Sequence, residues 1–138
     1  MAENIKLEVV TPDKSVVSED VQIVVGPGAL GEFGILPGHT PFLTTLNMGT
    51  VHYRDAKGTE REVFISGGFA EALPDKVTIL AESAERRRDI DIDRARSALA
   101  RAQKRLEDAQ KDKLDFVRAK AALDRALYRI KVASSKGQ

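Results

Sequence analysis

Arg86-Arg87-Arg88-Asp89-Ile90-Asp91-Ile92-Asp93-Arg94-Ala95-Arg96-Ser97-Ala98-Leu99-Ala100-Arg101-Ala102 is the stretch whose reading decides the architecture of this chain. It lies inside a 62-residue run, 75 to 136, that contains neither glycine nor proline, whereas all five prolines and nine of the ten glycines fall between positions 12 and 74. Such a run, rich in Ala, Leu, Arg, Lys and Asp, reads as long helix, while Gly and Pro punctuate short strands and tight turns. Charge divides at nearly the same place. Residues 1–85 carry 13 acidic and 6 basic side chains, net −7, and residues 86–138 carry 8 acidic and 16 basic, net +8, although the whole chain is only +1. The expected organisation is therefore α+β: a strand-rich domain over 1–85 followed by a helical domain over 86–138.

The helical stripe works outward from the same stretch. Ala95, Leu99, Ala102, Leu106 and Ala109 recur every three or four residues, and so do Phe116, Ala119, Leu123, Ala126, Leu127 and Ile130. Lys111-Asp112-Lys113-Leu114-Asp115 interrupts the register between them, which predicts an antiparallel helical hairpin folded about residue 113. Asp91 is the expected N-cap of the first helix, and Asp112 or Asp115 of the second. A seam built so largely of alanine lets the helices approach closely yet buries little, so the hairpin is expected to hold together weakly. Arg94 and Arg101 share one helix face, as do Arg125 and Arg129. Folding about 113 sets 101 opposite 125 and 97 opposite 129, which would let the four guanidinium groups converge near the open end as a trap for phosphate oxygens; on spacing alone the same arginines read as solvated, salt-bridged helix residues.

In the first half apolar residues alternate at Ile5, Leu7, Val9, at Val21, Ile23, Val25, at Val51 and Tyr53, at Val63 and Ile65, and at Val77 and Ile79. Turn signals separate these runs, and their spacing favours an antiparallel sandwich or barrel. Gly26-Pro27-Gly28-Ala29-Leu30-Gly31 matches the dinucleotide-binding pattern G-x-G-x-x-G in letters only, because no helix can open at Gly31 to hold a pyrophosphate; it reads as a turn. Cysteine is absent, which excludes disulfides, thiol nucleophiles and Cys-ligated zinc. His39 and His52, the only histidines, have no ligand partners at metal-binding spacing; His39 is expected to hydrogen-bond its own loop and His52 to sit at a strand rim. Ser66-Gly67-Gly68 lacks the geometry of a nucleophile elbow. No catalytic constellation is expected, and neither an export signal nor a membrane-spanning segment is visible.

Gly31-Glu32-Phe33-Gly34-Ile35-Leu36-Pro37-Gly38-His39-Thr40-Pro41 and Ser66-Gly67-Gly68-Phe69, followed by a helical hairpin, resemble the epsilon subunit of bacterial and chloroplast F-type ATP synthases over essentially the whole chain. The resemblance implies a sandwich of about ten strands carrying two C-terminal helices. It also implies a non-catalytic subunit of the central stalk that joins the gamma subunit to the ring of c subunits in a proton- or sodium-driven motor. Glu32 and His39 match the positions that face the c-ring and gamma. Ile90-Asp91-Ile92-Asp93-Arg94-Ala95 matches the family motif I/L-D-x-x-R-A, which in some members binds ATP as a regulatory ligand. The implied ATP contacts are Glu85, Ile90, Asp91, Arg94, Ala95, Arg101 and, with one residue inserted near the interhelical turn, Arg125 and Arg129. No cofactor is required. Arg86-Arg87-Arg88 departs from the pattern in being more basic, and could attract phosphate or misplace it. The resemblance further implies a hairpin that either folds down or extends into the alpha and beta subunits to jam hydrolysis. The location is then peripheral, on the cytoplasmic face of a bacterial inner membrane or the stromal face of a thylakoid. A nucleic-acid-binding hairpin is the competing reading, resting on the +8 half, and interleaved aspartates with few aromatics speak against it; an enzyme comes third.

Overall fold

A computed structural model of the chain describes residues 3–109 and 113–135. Nine strands come first: β1 (Ile5–Val10), β2 (Ser15–Gly28), β3 (Gly31–Ile35), β4 (Phe42–Leu46), β5 (Gly49–Asp55), β6 (Glu60–Ile65), β7 (Gly68–Ala72), β8 (Lys76–Ala81) and β9 (Ala84–Arg86). A single 3-10 turn, Arg87–Asp89, leads to two helices, α1 (Ile92–Asp108) and α2 (Lys113–Ala133), which pair as a hairpin. The chain divides into two compact units, one ending at Arg88 and the other spanning Asp89–Ser135.

Strand order is β1-β8-β7-β4-β2-β5-β6-β9, with β3 beside β2 and a further pairing of β1 with β2. The strand count is nine where about ten were expected, because β2 does the work of two. Its first half pairs with β1 and its second half with β5 and β3, and its last residue reaches Leu46 of β4. All pairings are antiparallel except β1 with β8. The direction of β8 is fixed by its hairpin with β7, which leaves it parallel to β1 when it arrives at that edge.

The alternation of apolar residues puts Ile5, Leu7 and Val9 fully inside, along with Val51, Val63, Ile65, Val77 and Ile79. In β2 the expected phase is only half right. Val17 and Val21 are buried, but Ile23 and Val25 are not fully so, and Val24 is. The register slips between Val21 and Ile23 opposite β5, so Gln22 is an inserted residue. One extra residue in a strand reverses which side chains face the core beyond it.

The G-x-G-x-x-G letters fall on the end of β2 and the hairpin into β3, where no helix follows. Gly26 is small there for a packing reason: a Cβ would stand 2.7 Å from the Phe33 ring. Phe33 in turn meets Phe42 edge to face at 5.4 Å, and His39 meets Phe42 at 5.2 Å. This aromatic stack supports the loop between β3 and β4.

In the second unit, Ala95 and Ala102 of α1 and Ala119 and Ala126 of α2 are buried, each pair seven residues apart, with half-buried Leu99 and Leu123 between them and Leu106 and Ile130 one turn further on. The alanine seam is therefore present. Phe116 and Leu127, expected on it, are 44% and 46% exposed. They stand on turns of α2 already served by Ala119, Leu123 and Ala126, so the closer-packed alanines occupy the seam in their place.

Candidate functional site: the arginine flank of the helical hairpin

Helix α1 opens as its sequence dictates. Asp91 has extended backbone angles and its carboxylate accepts a hydrogen bond from the Arg94 N–H at 3.0 Å, which satisfies one of the orphan donors of the first turn. The Asp91 carbonyl accepts from Ala95. Asp91 is thus committed to capping and fixes where Arg94 and Ala95 begin their turns. For α2, Asp115 lies within the first turn and not at its cap, and Asp112 falls outside the described residues.

The four arginines singled out by sequence follow from this register. Arg94, Arg101 and Arg125 each immediately precede a buried alanine of the seam, and Arg129 precedes half-buried Ile130. All four therefore sit on the flank next to the alanine row. In an antiparallel helix pair like flanks face the same side, so these positions share one side of the hairpin. The fold point differs from expectation, since residue 113 is already the first of α2. With the connection centred near 110–111, Arg94 comes level with about position 127, between Arg125 and Arg129. Arg101 lies about 7 Å nearer the connection than Arg125, at 1.5 Å of rise per residue. Three guanidinium-bearing positions converge, and the fourth is displaced along the axis.

Charge pairing distinguishes the two flanks. Lys120 binds Asp124 at 2.8 Å and Arg96 approaches Asp93 at 4.0 Å, both on the side away from the four arginines. Arg94, Arg101 and Arg125 have no carboxylate partner among the described residues. Arg94 and Arg101 are exposed; Arg125 and Arg129 are half-buried. Arg94, Arg101 and Arg125 thus put like charges without carboxylate partners on one side of the hairpin, an arrangement that attracts anions. Ile90 is half-buried just ahead of the cap. Glu85 belongs to the other unit, on β9 opposite Phe64.

At the sandwich, Glu32 is exposed on β3 opposite Pro27. His39 places Nδ1 2.6 Å from the Thr40 carbonyl, the local hydrogen bond expected of it. His52 lies half-exposed beside Glu62 at 3.2 Å on the neighbouring strand. No group of residues suited to hold a metal ion occurs among those described, and no helix is long and apolar enough to cross a membrane.

Sequence reasoning missed a network on the sandwich. Asp55 is 7% exposed and accepts from the N–H groups of Thr59 and Lys57 and from Arg61 Nε at 3.2 Å. The Thr59 N–H first, then the Arg61 side chain, hold its carboxyl below the usual range. Arg86 donates to the Val16 carbonyl at 2.9 Å and reaches Glu19 at 3.5 Å. Tyr53, buried beside them, has its phenol pushed up by burial and by Glu19. The only sequence signal was Asp55-Ala56-Lys57-Gly58 as a turn; partners 67 residues apart, such as Glu19 and Arg86, leave none.

The sandwich matches the family model described as "ATP synthase, Delta/Epsilon chain, beta-sandwich domain" over residues 4–87, and the hairpin matches its "long alpha-helix domain" over 88–134. The chain belongs to the ATP synthase epsilon-chain family. The ATP synthase epsilon chain of Desulforapulum autotrophicum is 57% identical over 136 residues, 99% of this chain and 100% of that one. That of Desulfatibacillum aliphaticivorans is 65% identical over 116 residues, 84% of this chain and 82% of its own length. Among solved structures, a chain of the Euglena gracilis mitochondrial ATP synthase shares the fold with a TM-score of 0.78 at 24% identity, covering 95% of this chain and 81% of that one. A chain of the Tetrahymena thermophila mitochondrial ATP synthase central stalk and c-ring does so at 0.61 and 14%, covering 96% and 98%.

Proposed function

We propose that this chain is a non-catalytic central-stalk subunit of a rotary ATP synthase, and that its hairpin is an ATP-sensing brake on hydrolysis. The observation that carries the reading is an arginine flank beside an alanine seam, on which Arg94, Arg101 and Arg125 have no carboxylate partner among the described residues, in a chain of the epsilon family. Arg94, Arg125 and Arg129 would grip the phosphates, with Arg101 further along the hairpin. Asp91, Ile90 and Ala95 would set the helix start from which Arg94 projects, and Glu85 would contribute from β9. Glu32 and His39 would contact the c-ring and gamma at one end of the sandwich. The chain would sit peripherally, on the membrane face that carries the catalytic sector.

The charge division supplies a physical basis for two positions of the arm. The helical unit, 89–135, carries 12 basic and 8 acidic side chains, net +4, and is attracted both to the sandwich unit, 1–88, whose 9 basic and 13 acidic side chains make it net −4, and to any acidic surface of the alpha and beta subunits. Two such docks suit a switch whose states differ by a few kcal/mol. ATP bound to the folded arm alone would stabilise it by about 1.4 kcal/mol at tenfold saturation, a shift of roughly tenfold in population. When ATP falls, the arm would extend and stop wasteful hydrolysis.

The test is ATP hydrolysis by the reconstituted complex across a range of ATP, with the wild-type chain or Arg94→Ala/Arg125→Ala, alongside calorimetry of the isolated chain. Saturable ATP binding lost in the variant, together with inhibition that no longer responds to ATP, is expected. Equal ATP sensitivity of the two complexes would remove nucleotide from the account and leave a stalk subunit whose arm answers to rotation alone.

A further inference from the structure

No lysine or arginine occurs between Lys14 and Arg54, a stretch whose acidic residues are Glu19, Asp20 and Glu32. The loop from β3 to β4 lies inside it, with half-buried His39 as its only ionisable side chain. The backbone there is pinned. Gly38, in the left-handed region at φ +82°, donates its N–H to the Pro74 carbonyl at 2.7 Å, and the His39 N–H donates to the Leu36 carbonyl at 3.2 Å. The imidazole stands edge to face with Phe42, which is itself braced by Phe33. Its Nδ1 lies 2.6 Å from the Thr40 carbonyl oxygen. A carbonyl oxygen only accepts, so Nδ1 carries the proton. In the neutral ring Nε2 is then a bare acceptor, and it has no hydrogen-bond partner among the described residues. The local bond selects the tautomer, and the aromatic stack holds the ring's orientation.

We infer that His39 is a specificity-determining acceptor, whose Nε2 takes a hydrogen bond from an N–H donor on a basic surface of the stalk partner. The inference rests on the stalk contact proposed above for His39 and adds its chemistry. An acceptor discriminates by what it refuses. A carboxylate or carbonyl opposite Nε2 leaves two acceptors facing each other, whereas a guanidinium or ammonium group completes the bond. The charge of the stretch agrees, because three carboxylates without a cation favour a basic counter-surface. The two contact residues then differ in role. Glu32, exposed on β3, attracts a basic surface over distance, and the directional imidazole fixes where that surface docks.

The test has two arms. In the full chain labelled with nitrogen-15 histidine, in mildly alkaline buffer, NMR couplings between the ring nitrogens and the carbon-bound ring protons identify the protonated nitrogen; His39→Gln assigns the signal by its loss. Protonation at Nδ1 is expected. The second arm compares binding of wild type, His39→Asn and His39→Gln to the synthase complex depleted of this chain. Asparagine puts an amide N–H where Nδ1 was and keeps the bond to Thr40 without an outward acceptor, whereas glutamine reaches the place of Nε2 and offers a carbonyl there. His39→Asn should bind about tenfold more weakly, as the loss of one hydrogen bond to a charged group implies, and His39→Gln within about threefold of wild type. Wild-type binding should also weaken with added salt, less steeply in Glu32→Gln. A ring that merely orders its own loop predicts the reverse order, because asparagine keeps the local bond. That reverse order, protonation at Nε2, or binding indifferent to salt overturns the inference and leaves the stalk reading standing. Equal binding of all three proteins, with Nδ1 protonated, overturns the inference and removes His39 from the stalk contact as well.

Discussion

Replacing Asp91 by alanine removes the carboxylate that holds the Arg94 N–H at 3.0 Å and leaves one more orphan donor at the start of α1. An N-cap of this kind is worth about 1 kcal/mol. The favourable placement of a negative charge at a helix N-terminus adds a few tenths at an exposed position. The first turn should then open about fivefold more often. Asparagine keeps an oxygen in the same place and lacks only the charge, so Asp91→Asn should lose a few tenths of a kcal/mol at most. Amide hydrogen exchange resolves the two: the Arg94 and Ala95 amides should exchange about fivefold faster in the alanine variant and near the wild-type rate in asparagine. Because the seam is largely alanine, with little apolar area to compensate, the effect should spread into the next turn of α1. The same pair of variants separates capping from ligand contact. If Asp91 acts by setting the helix start, Asp91→Asn keeps its ATP response. An asparagine variant as damaged as the alanine one, or an alanine variant with unchanged exchange, would refute the capping argument.

Two further outcomes follow from the sandwich. Gly68 has φ +148°, and a Cβ there would run into the Leu80 carbonyl oxygen and stand 2.9 Å from Ala81 Cα. Gly68→Ala should therefore cost about 3 kcal/mol, combining backbone strain with a forced shift between β7 and β8; an unchanged urea midpoint would contradict it. Asp55 has a folded pKa below its ordinary 3.8, so its stabilisation is present above that value and is lost as pH falls through the lower folded one. Asp55→Asn should lower the urea midpoint at neutral pH and flatten its decline in acid, and parallel pH profiles for the two proteins would count against the network.

How much of this was legible depends on the distance over which each signal acts. Local rules found the Asp91 cap, the alanine rows at 95, 102, 119 and 126, and the turn at Asp55, because each is written within seven residues. Periodicity found β1, β2, β5, β6 and β8 and missed β3, β4, β7 and β9, and it lost phase in β2, where a bulge is decided by pairing with β5 and not by β2 itself. The parallel join of β1 to β8 is a contact between residues some seventy positions apart and leaves no local mark. The arginine flank was half legible. Helical spacing grouped Arg94 with Arg101 and Arg125 with Arg129, but their mutual level depended on where the connection falls, and position 113 proved to be helix. Which arginines lack counter-charges could be known only once Asp93 and Asp124 were seen to serve Arg96 and Lys120. The small cavity lined by Tyr53, Arg61, Glu62 and Arg86 to Arg88 joins three strands, β5, β6 and β9, to the 3-10 turn, and was beyond any reading along the chain.

Strand β2 bears on mechanics as well as topology. Its 14 residues run unbroken from the pairing with β1 to the turn before β3, hydrogen-bonded along the way to β1, β5 and β3 and touching β4 at its tip. A force applied at the β2–β3 end is carried through one continuous polypeptide spar, not through side chains sliding between layers. Pulling along such a strand loads many ladder bonds in shear at once, whereas pulling across its edge would part them one by one. The sandwich is therefore anisotropic: stiff along β2, softer across it. A body of that kind transmits twist with little lag when the strand lies along the line of load.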